Sequence, residues 1–433
     1  MTASLIICGM SCLCMILSVL FFPRIKIGRF GVDTYWIVVT AGASIMLING
    51  EISPGAVTDA LFSDTAINPL KILVLFVSMT VLSIFLDELG FFAYLANKAL
   101  GAAGKSQFKL FLILYITVSV LTVFTSNDII ILTFTPFICY FAKNAEVSPV
   151  PYLVEQFVAA NTWSMMLIIG NPTNIYLATS YNVDFVTYLK NMVLPTAAAG
   201  IAAFVILFLV FRKKLSAPLK PHIIDIKIKD KTLLVLGVLH ISVCTVALAV
   251  GSYVGAPMWI ISLCVAVCLF ASAGIACALK KKYPAELVSC LRRAPWQLVP
   301  FVISMFIMIL ALEHHGVTAW IANALGSTVT VFRYGIASLL SANVINNIPM
   351  SVLFCSVVEH APEQSHTAAV YASVIGSNLG ALLTPIGALA GIIWTMILKN
   401  YGVKFVYSDF IKYGVIVTVP SAVAALAVLE LVL

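Results

Sequence analysis

Asp128 closes the tetrad Thr125-Ser126-Asn127-Asp128, which interrupts two apolar runs, 110–124 and 129–142. A carboxylate at membrane depth is costly and is kept, as a rule, to carry a proton or hold a cation. A neutral Ser or Asn would cap a helix equally well, so the charge itself points to transport chemistry. A polar tip of this kind also collects the free N–H groups and the positive end of the second arm. Asp128 is read as the one carboxylate near mid-membrane and as the coupling-ion residue, for a proton or for sodium. Ser126 and Asn127 are read as solute contacts.

Three further segments carry polar residues inside apolar surroundings. Residues 170–174 read Gly-Asn-Pro-Thr-Asn. Pro172 removes a backbone donor and Gly170 permits unusual dihedrals, so the helix should break there. The freed carbonyls, with Asn171, Thr173 and Asn174, could then coordinate a cation or hydrogen-bond a solute. In the second half, 341–349 read Ser-Ala-Asn-Val-Ile-Asn-Asn-Ile-Pro, with Asn346 and Asn347 taken as counterparts of Asn127 and Asp128 and Pro349 closing the tip. Residues 376–387 carry Asn378 and the break Thr384-Pro385-Ile386-Gly387, with Thr384, Pro385 and Gly387 set against Asn171, Pro172 and Asn174. An amide standing where the first half has a carboxylate implies one coupling ion. None of the four segments contains Lys or Arg. Helix N-termini and amides must therefore bind the solute, which suits a small hydroxyl-rich molecule at least as well as an anion.

These segments need a membrane scaffold. The 433 residues are 61% hydrophobic and 10% charged, against roughly 45–50% and about 25% in soluble domains. Stretches long enough to cross a bilayer cover 3–22, 34–50, 70–86, 152–169, 191–211, 233–251, 257–279, 296–312, 368–398 (interrupted) and 413–433. Regions 107–142 and 334–358 read as re-entrant hairpins, since irregular backbone at membrane depth survives only against protein or a water-filled cavity. With the N-terminus outside, all of the 25 Lys and Arg except Lys71, Lys190 and Arg333 fall on the inner side, as the positive-inside rule asks. The net charge of +7 thus reads as orientation rather than nucleic-acid binding. Residues 3–22 lack a basic n-region and a small-residue cleavage site, and are expected to be a retained helix. The ten cysteines lie mostly in apolar runs, where Cys acts as a small hydrophobe, and no Cys/His spacing suggests a metal.

The chain repeats itself. LDELGFFAYLANKALG at 86–101 and LEHHGVTAWIANALG at 312–326 align at one constant offset, matching Leu86 with Leu312, Asp87 with Glu313, Gly90 with Gly316, Tyr94 with Trp320 and Asn97 with Asn323. Residues 1–212 form a first repeat (hairpin 107–142, broken span 152–180), 213–232 a basic linker, and 233–433 a second repeat (hairpin 334–358, broken span 368–398). Five crossings per half make the second inverted, the plan of many secondary transporters. The expected fold is an all-α polytopic membrane protein of two inverted five-span repeats.

Other classes fit less well. An intramembrane enzyme needs a nucleophile and base at depth, and no membrane-depth His is seen to pair with Ser or Cys. His314 and His315 read as a wet interfacial pair, His360 and His366 as solvated loop residues. No GxxxxGK[ST] makes the chain its own ATPase, although a separate ATPase subunit would leave no trace. A passive channel would not require the repeat-plus-break plan.

The stretch 376–420, with its Leu-Thr-Pro-Ile-Gly core, resembles the bacterial arsenite permease family, within the ion-transporter superfamily that includes the divalent anion/sodium symporters. SNDIIILTFTP and NPTNIYLATSYNVDF are similar to that family's hairpin tip and first break. The resemblance implies a multi-pass secondary transporter of the cytoplasmic membrane with no cofactor beyond the coupling ion, and the loop charges place both termini outside. It points to proton-coupled efflux of arsenite or antimonite, with a homodimer as an expectation. The alternatives are a sodium-coupled symporter of an organic or inorganic anion and a sodium/proton exchanger, separable by whether flux needs sodium, a pH gradient or either.

Overall fold

The computed structural model describes residues 2–22, 24–27, 30–63, 68–219 and 228–433. Its first half runs through α1 (Thr2–Phe21), a short antiparallel pair β1 (Arg24–Ile27) and β2 (Phe30–Asp33), α2 (Thr34–Ile48), α3 (Pro54–Phe62), α4 (Pro69–Glu88) and α5 (Phe91–Ala103). It continues with α6 (Gln107–Phe124), α7 (Asn127–Asn144), α8 (Val150–Trp163), a 3₁₀ turn (Ile168–Gly170), α9 (Pro172–Thr179) and α10 (Phe185–Leu215). The second half opens with α11 (Lys231–Val254), α12 (Met258–Leu279), α13 (Ala285–Arg293), α14 (Leu298–His314) and α15 (Val317–Leu325). There follow α16 (Thr330–Ile345), α17 (Asn347–Glu359), a 3₁₀ turn (Glu363–Ser365), α18 (His366–Gly380), another (Pro385–Gly387), α19 (Leu389–Asn400) and α20 (Tyr407–Val432). The element order of α1–α10 recurs in α11–α20. The protein is an all-α polytopic membrane protein, and the strand pair, with Arg24 opposite Asp33 in register, is a small addition that the apolar pattern could not show.

Among the described residues, eight helical segments are long and apolar enough to cross a bilayer. Their starts are set by local chemistry. Asn68 accepts hydrogen bonds from the Leu70 and Lys71 amides ahead of Pro69, Asp184 caps α10 through Val186 and Thr187, and Asp230 caps α11 through Thr232 and Leu233. Such caps are worth roughly 1 kcal/mol each. The repeated corner has a backbone reason: Gly90 and Gly316 precede α5 and α15 with φ of +80° and +73°, where a side chain would be strained. Lys220 and Lys227 of the linker lie outside the described residues, while Lys229 reaches the α4 end through its amide to the Leu89 carbonyl.

Packing follows the repeat. α1 lies on α2 and α11 on α12, and the pairs interlock as α2 meets α14 and α12 meets α4. α10 packs along α20, with Ile201, Val205, Val419 and Val423 turned outward as a lipid-facing surface. α16 and α18 approach most closely: a Cβ on Gly376 would stand 2.5 Å from the Gly335 carbonyl, and one on Gly380 2.7 Å from that of Leu339. Small residues permit such backbone contact in membranes. The halves then cross over, α7 against α19 and α17 against α9, so each hairpin's second arm lies on the other half's broken span. All ten cysteines are free, seven buried and three exposed.

Candidate transport site

Four helices begin at the two hairpin tips and the two breaks: α7, α17, α9 and α19. Their N-terminal ends bring unpaired amides and partial positive charge. The first break sits between Trp163 and Pro172. Pro172 occupies the first position of α9, where its missing donor costs nothing, and Asn171 caps it by accepting from the Thr173 amide at 3.2 Å. Gly170 is required, because a Cβ there would fall 2.3 Å from the Ser164 carbonyl.

Asn378 of α18 ties this break to the other half. Its Oδ1 accepts from Asn171 Nδ2 at 2.8 Å and Ser164 Oγ at 2.9 Å, and its Nδ2 donates to Asn174 Oδ1 at 2.7 Å and the Val374 carbonyl at 2.9 Å. Asn174 in turn donates to the Ser164 and Leu167 carbonyls, and Ser377 Oγ donates to Thr173 Oγ1 at 2.7 Å. Every member of this network is buried, and a fully bonded buried network is rigid. Each hairpin tip is bonded to a neighbouring span or break. Asn127 Nδ2 donates to Asn161 Oδ1 at 3.3 Å, and Asn346 Nδ2 donates to the Ile386 carbonyl at 2.9 Å. Asn346 holds this place with φ of +74°, an uncommon conformation for a residue with a side chain. Thr384 donates to Asn343 Oδ1 at 2.7 Å, and Asn343 donates to the Gly380 carbonyl at 3.0 Å.

Three named side chains stay outside this web. Among the described residues nothing hydrogen-bonds Ser126 Oγ, the Asp128 carboxylate or the Asn347 side chain. Asp128 is half-buried at the first turn of α7, with no ion pair. Pro349 lies in the first turn of α17. Beside the first break a crevice of about 20 Å³ is walled by Pro172, Tyr176, Ile348 and Ser351, room for roughly one water. Ile72 also lines it and borders a larger cavity of about 490 Å³ that includes Lys71, Asn182, Asp184 and Trp259. Ile72 thus separates the crevice at the first break from the larger cavity.

Several sequence expectations are corrected by this geometry. The second break is shifted in register. Thr384 (φ −138°, ψ 154°) matches Leu167 (φ −117°, ψ 148°), and Ala388 (φ −148°, ψ 151°) matches Asn171 (φ −148°, ψ 142°). Pro385 therefore opens a 3₁₀ turn rather than α19, and Gly387 corresponds to Gly170, not Asn174. Aligning the prolines misled, because proline fits the first position of either helix type. The hairpin tips also shift by one: α7 starts at Asn127 on a Ser126 cap and α17 at Asn347 on an Asn346 cap, so Ile348 stands opposite Asp128. Asn161 and Asn378 become equivalents.

Asp128 is also not the one carboxylate at membrane depth. Glu155 lies wholly buried in α8. It was overlooked because the span around it reads as apolar. Asn343 and Ser164 were likewise unassigned, being short polar residues inside helical runs. His240 lies within α11 with Nδ1 on the Leu236 carbonyl and Nε2 3.5 Å from Ser272 Oγ, so a membrane-depth His does stand beside a Ser, contrary to the sequence expectation. His315 is 2.8 Å from the Glu51 carboxylate.

The citrate transporter family (CitMHS) matches residues 32–376. The chain belongs to this family. Among curated relatives, an arsenical pump membrane protein of Escherichia coli is 27% identical over 419 residues, covering 90% of this chain and 92% of its own. A 46 kDa membrane protein of Mycobacterium leprae is 24% identical, covering 82% and 84%. Among solved structures, the Alcanivorax borkumensis YdaH transporter aligns with a TM-score of 0.57 at 12% identity, over 99% of this chain and 97% of that one. The likeness to arsenite permeases is borne out at the level of the superfamily. This citrate transporter family member is a multi-pass secondary transporter of a small solute, not an enzyme.

Proposed function

We propose that the protein extrudes arsenite or antimonite, as the neutral trihydroxide, across the cytoplasmic membrane against inward proton flow. Asp128 carries the proton. The observation that carries this reading is the unbonded Asp128 carboxylate, one residue from an amide web with no Lys or Arg. Amides and hydroxyls reciprocate the donors and acceptors of a trihydroxide, and the helix N-termini favour its oxygens. The relatives named as arsenical pumps point the same way. The two halves act as inverted repeats with both termini outside. Moving α6–α7 and α16–α17 with the breaks against the other spans opens the site to each side in turn.

A second reading, sodium-coupled import of an organic anion, draws on the description of the family as citrate transporters. Asp128 and freed carbonyls would then hold sodium. Labelled arsenite uptake into everted vesicles, with proton and sodium gradients imposed separately, decides between them. Proton-driven accumulation that Asp128→Asn removes is the expected result. Normal proton-driven flux in that variant defeats the assignment, and flux that follows only sodium favours the second reading.

A further inference from the structure

Glu155 is a buried acid that no part of the scheme above uses. It is fully buried in α8, and among the described residues neither carboxylate oxygen has a side-chain hydrogen-bond partner, nor does Nε2 of the adjacent Gln156 have any. α8 is enclosed by α6, α7, α10 and α18 and meets α19 and α20 through Phe157 on Trp394 and Phe410, beside Tyr413, and the groups these present are uncharged or remote. On α6, Tyr115 faces it through its main chain, while the Tyr115 hydroxyl is spent on the Gly200 carbonyl at 2.6 Å. On α8 itself, Tyr152 donates to Gln107 Oε1 at 3.0 Å. Lys109, Lys143 and Arg212, on α6, α7 and α10, are exposed at the helix ends, Asp128 stands at the opposite end of α7, and Tyr371 of α18 is turned to the Thr187 carbonyl.

An ionised carboxylate with no partner in such surroundings is strongly disfavoured, and the group takes up a proton instead. A purely packing role would be met better by an apolar residue. The position on α8 also matters. Glu155 is six residues before Asn161, about 9 Å along the helix, and so lies between the amide web and the α8 end reached from Lys143 and Asn144. Gln156, its neighbour, accepts from Thr135 of α7 at 3.1 Å, which couples this stretch of α8 to the arm that bears Asp128.

We propose that Glu155 is a second proton-carrying residue, neutral in this conformation and giving its proton to water on the inner side once the hairpin moves. The proton adds to one carboxylate oxygen and leaves from it; no other bond changes. The inference rests on the proton-coupled reading.

Two measurements test it. Infrared spectra of the reconstituted protein should contain the C=O band of a neutral carboxylic acid that is lost in Glu155→Gln and retained in Asp128→Asn. In vesicles, Glu155→Gln should lower accumulation driven by a pH gradient at least tenfold, while solute counterflow without a gradient stays within twofold of the parent. Accumulation at the parental level, or a spectrum in which Glu155→Gln removes no acid band, overturns the proposal. If the Gln variant does not fold, Glu155→Asp replaces it: a displaced flux–pH profile supports the proposal and an unchanged one overturns it. A parent protein whose flux ignores the pH gradient defeats the proton-coupled reading instead, and the infrared band still decides whether Glu155 holds a proton.

Discussion

Asn378 Nδ2 donates to Asn174 Oδ1 across the boundary between the halves at 2.7 Å, and both amides are completely buried. Asn378→Ala would leave Asn174 Oδ1 and Asn171 Nδ2 without their partner. Each orphaned buried group costs about 1–3 kcal/mol. Thermal unfolding of the detergent-solubilised protein should show a clearly lowered midpoint, larger than the loss for Ser377→Ala, which removes one bond to Thr173. Equal midpoints for Asn378→Ala and the parent would contradict a structural tie here.

The acids ending α4 and α14 hold their own hairpins in the same way. Thr133 Oγ1 of α7 donates to Asp87 Oδ1 at 2.6 Å, and Ser356 Oγ of α17 donates to Glu313 Oε2 at 2.7 Å. Asp87 is further fixed by Arg293 Nη2 at 2.6 Å. Hydrogen bonds to charged groups contribute about 1.5 kcal/mol or more. Thr133→Ala should speed amide exchange roughly tenfold in α7 and leave α17 unchanged, with Ser356→Ala giving the converse. Uniform acceleration in both arms would show that these contacts are not separate latches.

Glycine sites separate close backbone packing from simple flexibility. A Cβ on Gly414 of α20 would meet the Leu382 carbonyl at 2.1 Å, and one on Gly170 the Ser164 carbonyl at 2.3 Å, whereas Gly9 of α1 has nothing within 4 Å. Gly170→Ala and Gly414→Ala should sharply reduce the folded yield. Gly9→Ala should be neutral, or stabilising by roughly 0.5–1 kcal/mol through helix propensity.

Acid stability has a readable contributor outside the spans in Asp230. The Lys280 ammonium, 2.9 Å from Asp230, holds that carboxyl down to about 2. A carboxylate depressed in the folded state stabilises fully above its unfolded value, near 4, and loses this as pH falls from about 4 to about 2. The melting midpoint should therefore fall over that window, and the Asp230→Asn variant should show a shallower drop. Identical slopes would remove Asp230 from the account.

The sequence made the polar tips, the broken spans and the repeated Gly90/Gly316 corner readable, because each departs from an apolar background. Register within the breaks was not readable. Leu167 and Thr384 share backbone dihedrals without sharing chemistry, so only coordinates reveal their equivalence. Glu155 was hidden for the opposite reason: one acid in an apolar run does not disturb the hydropathy of the span, and its isolation is visible only when the helices around α8 are in place. Asn343 and Ser164 matter through what they bond, and spacing along the chain does not encode partners 37 and 214 residues away.

Ala388 repeats the backbone of Asn171 and offers a methyl group where Asn171 offers an amide. One backbone shape thus carries different side-chain chemistry at its two occurrences. The turn beneath Ala388 is held by Gly387, Asn343 and the Asn346 contact to Ile386, so the side chain there can be exchanged without reshaping the backbone.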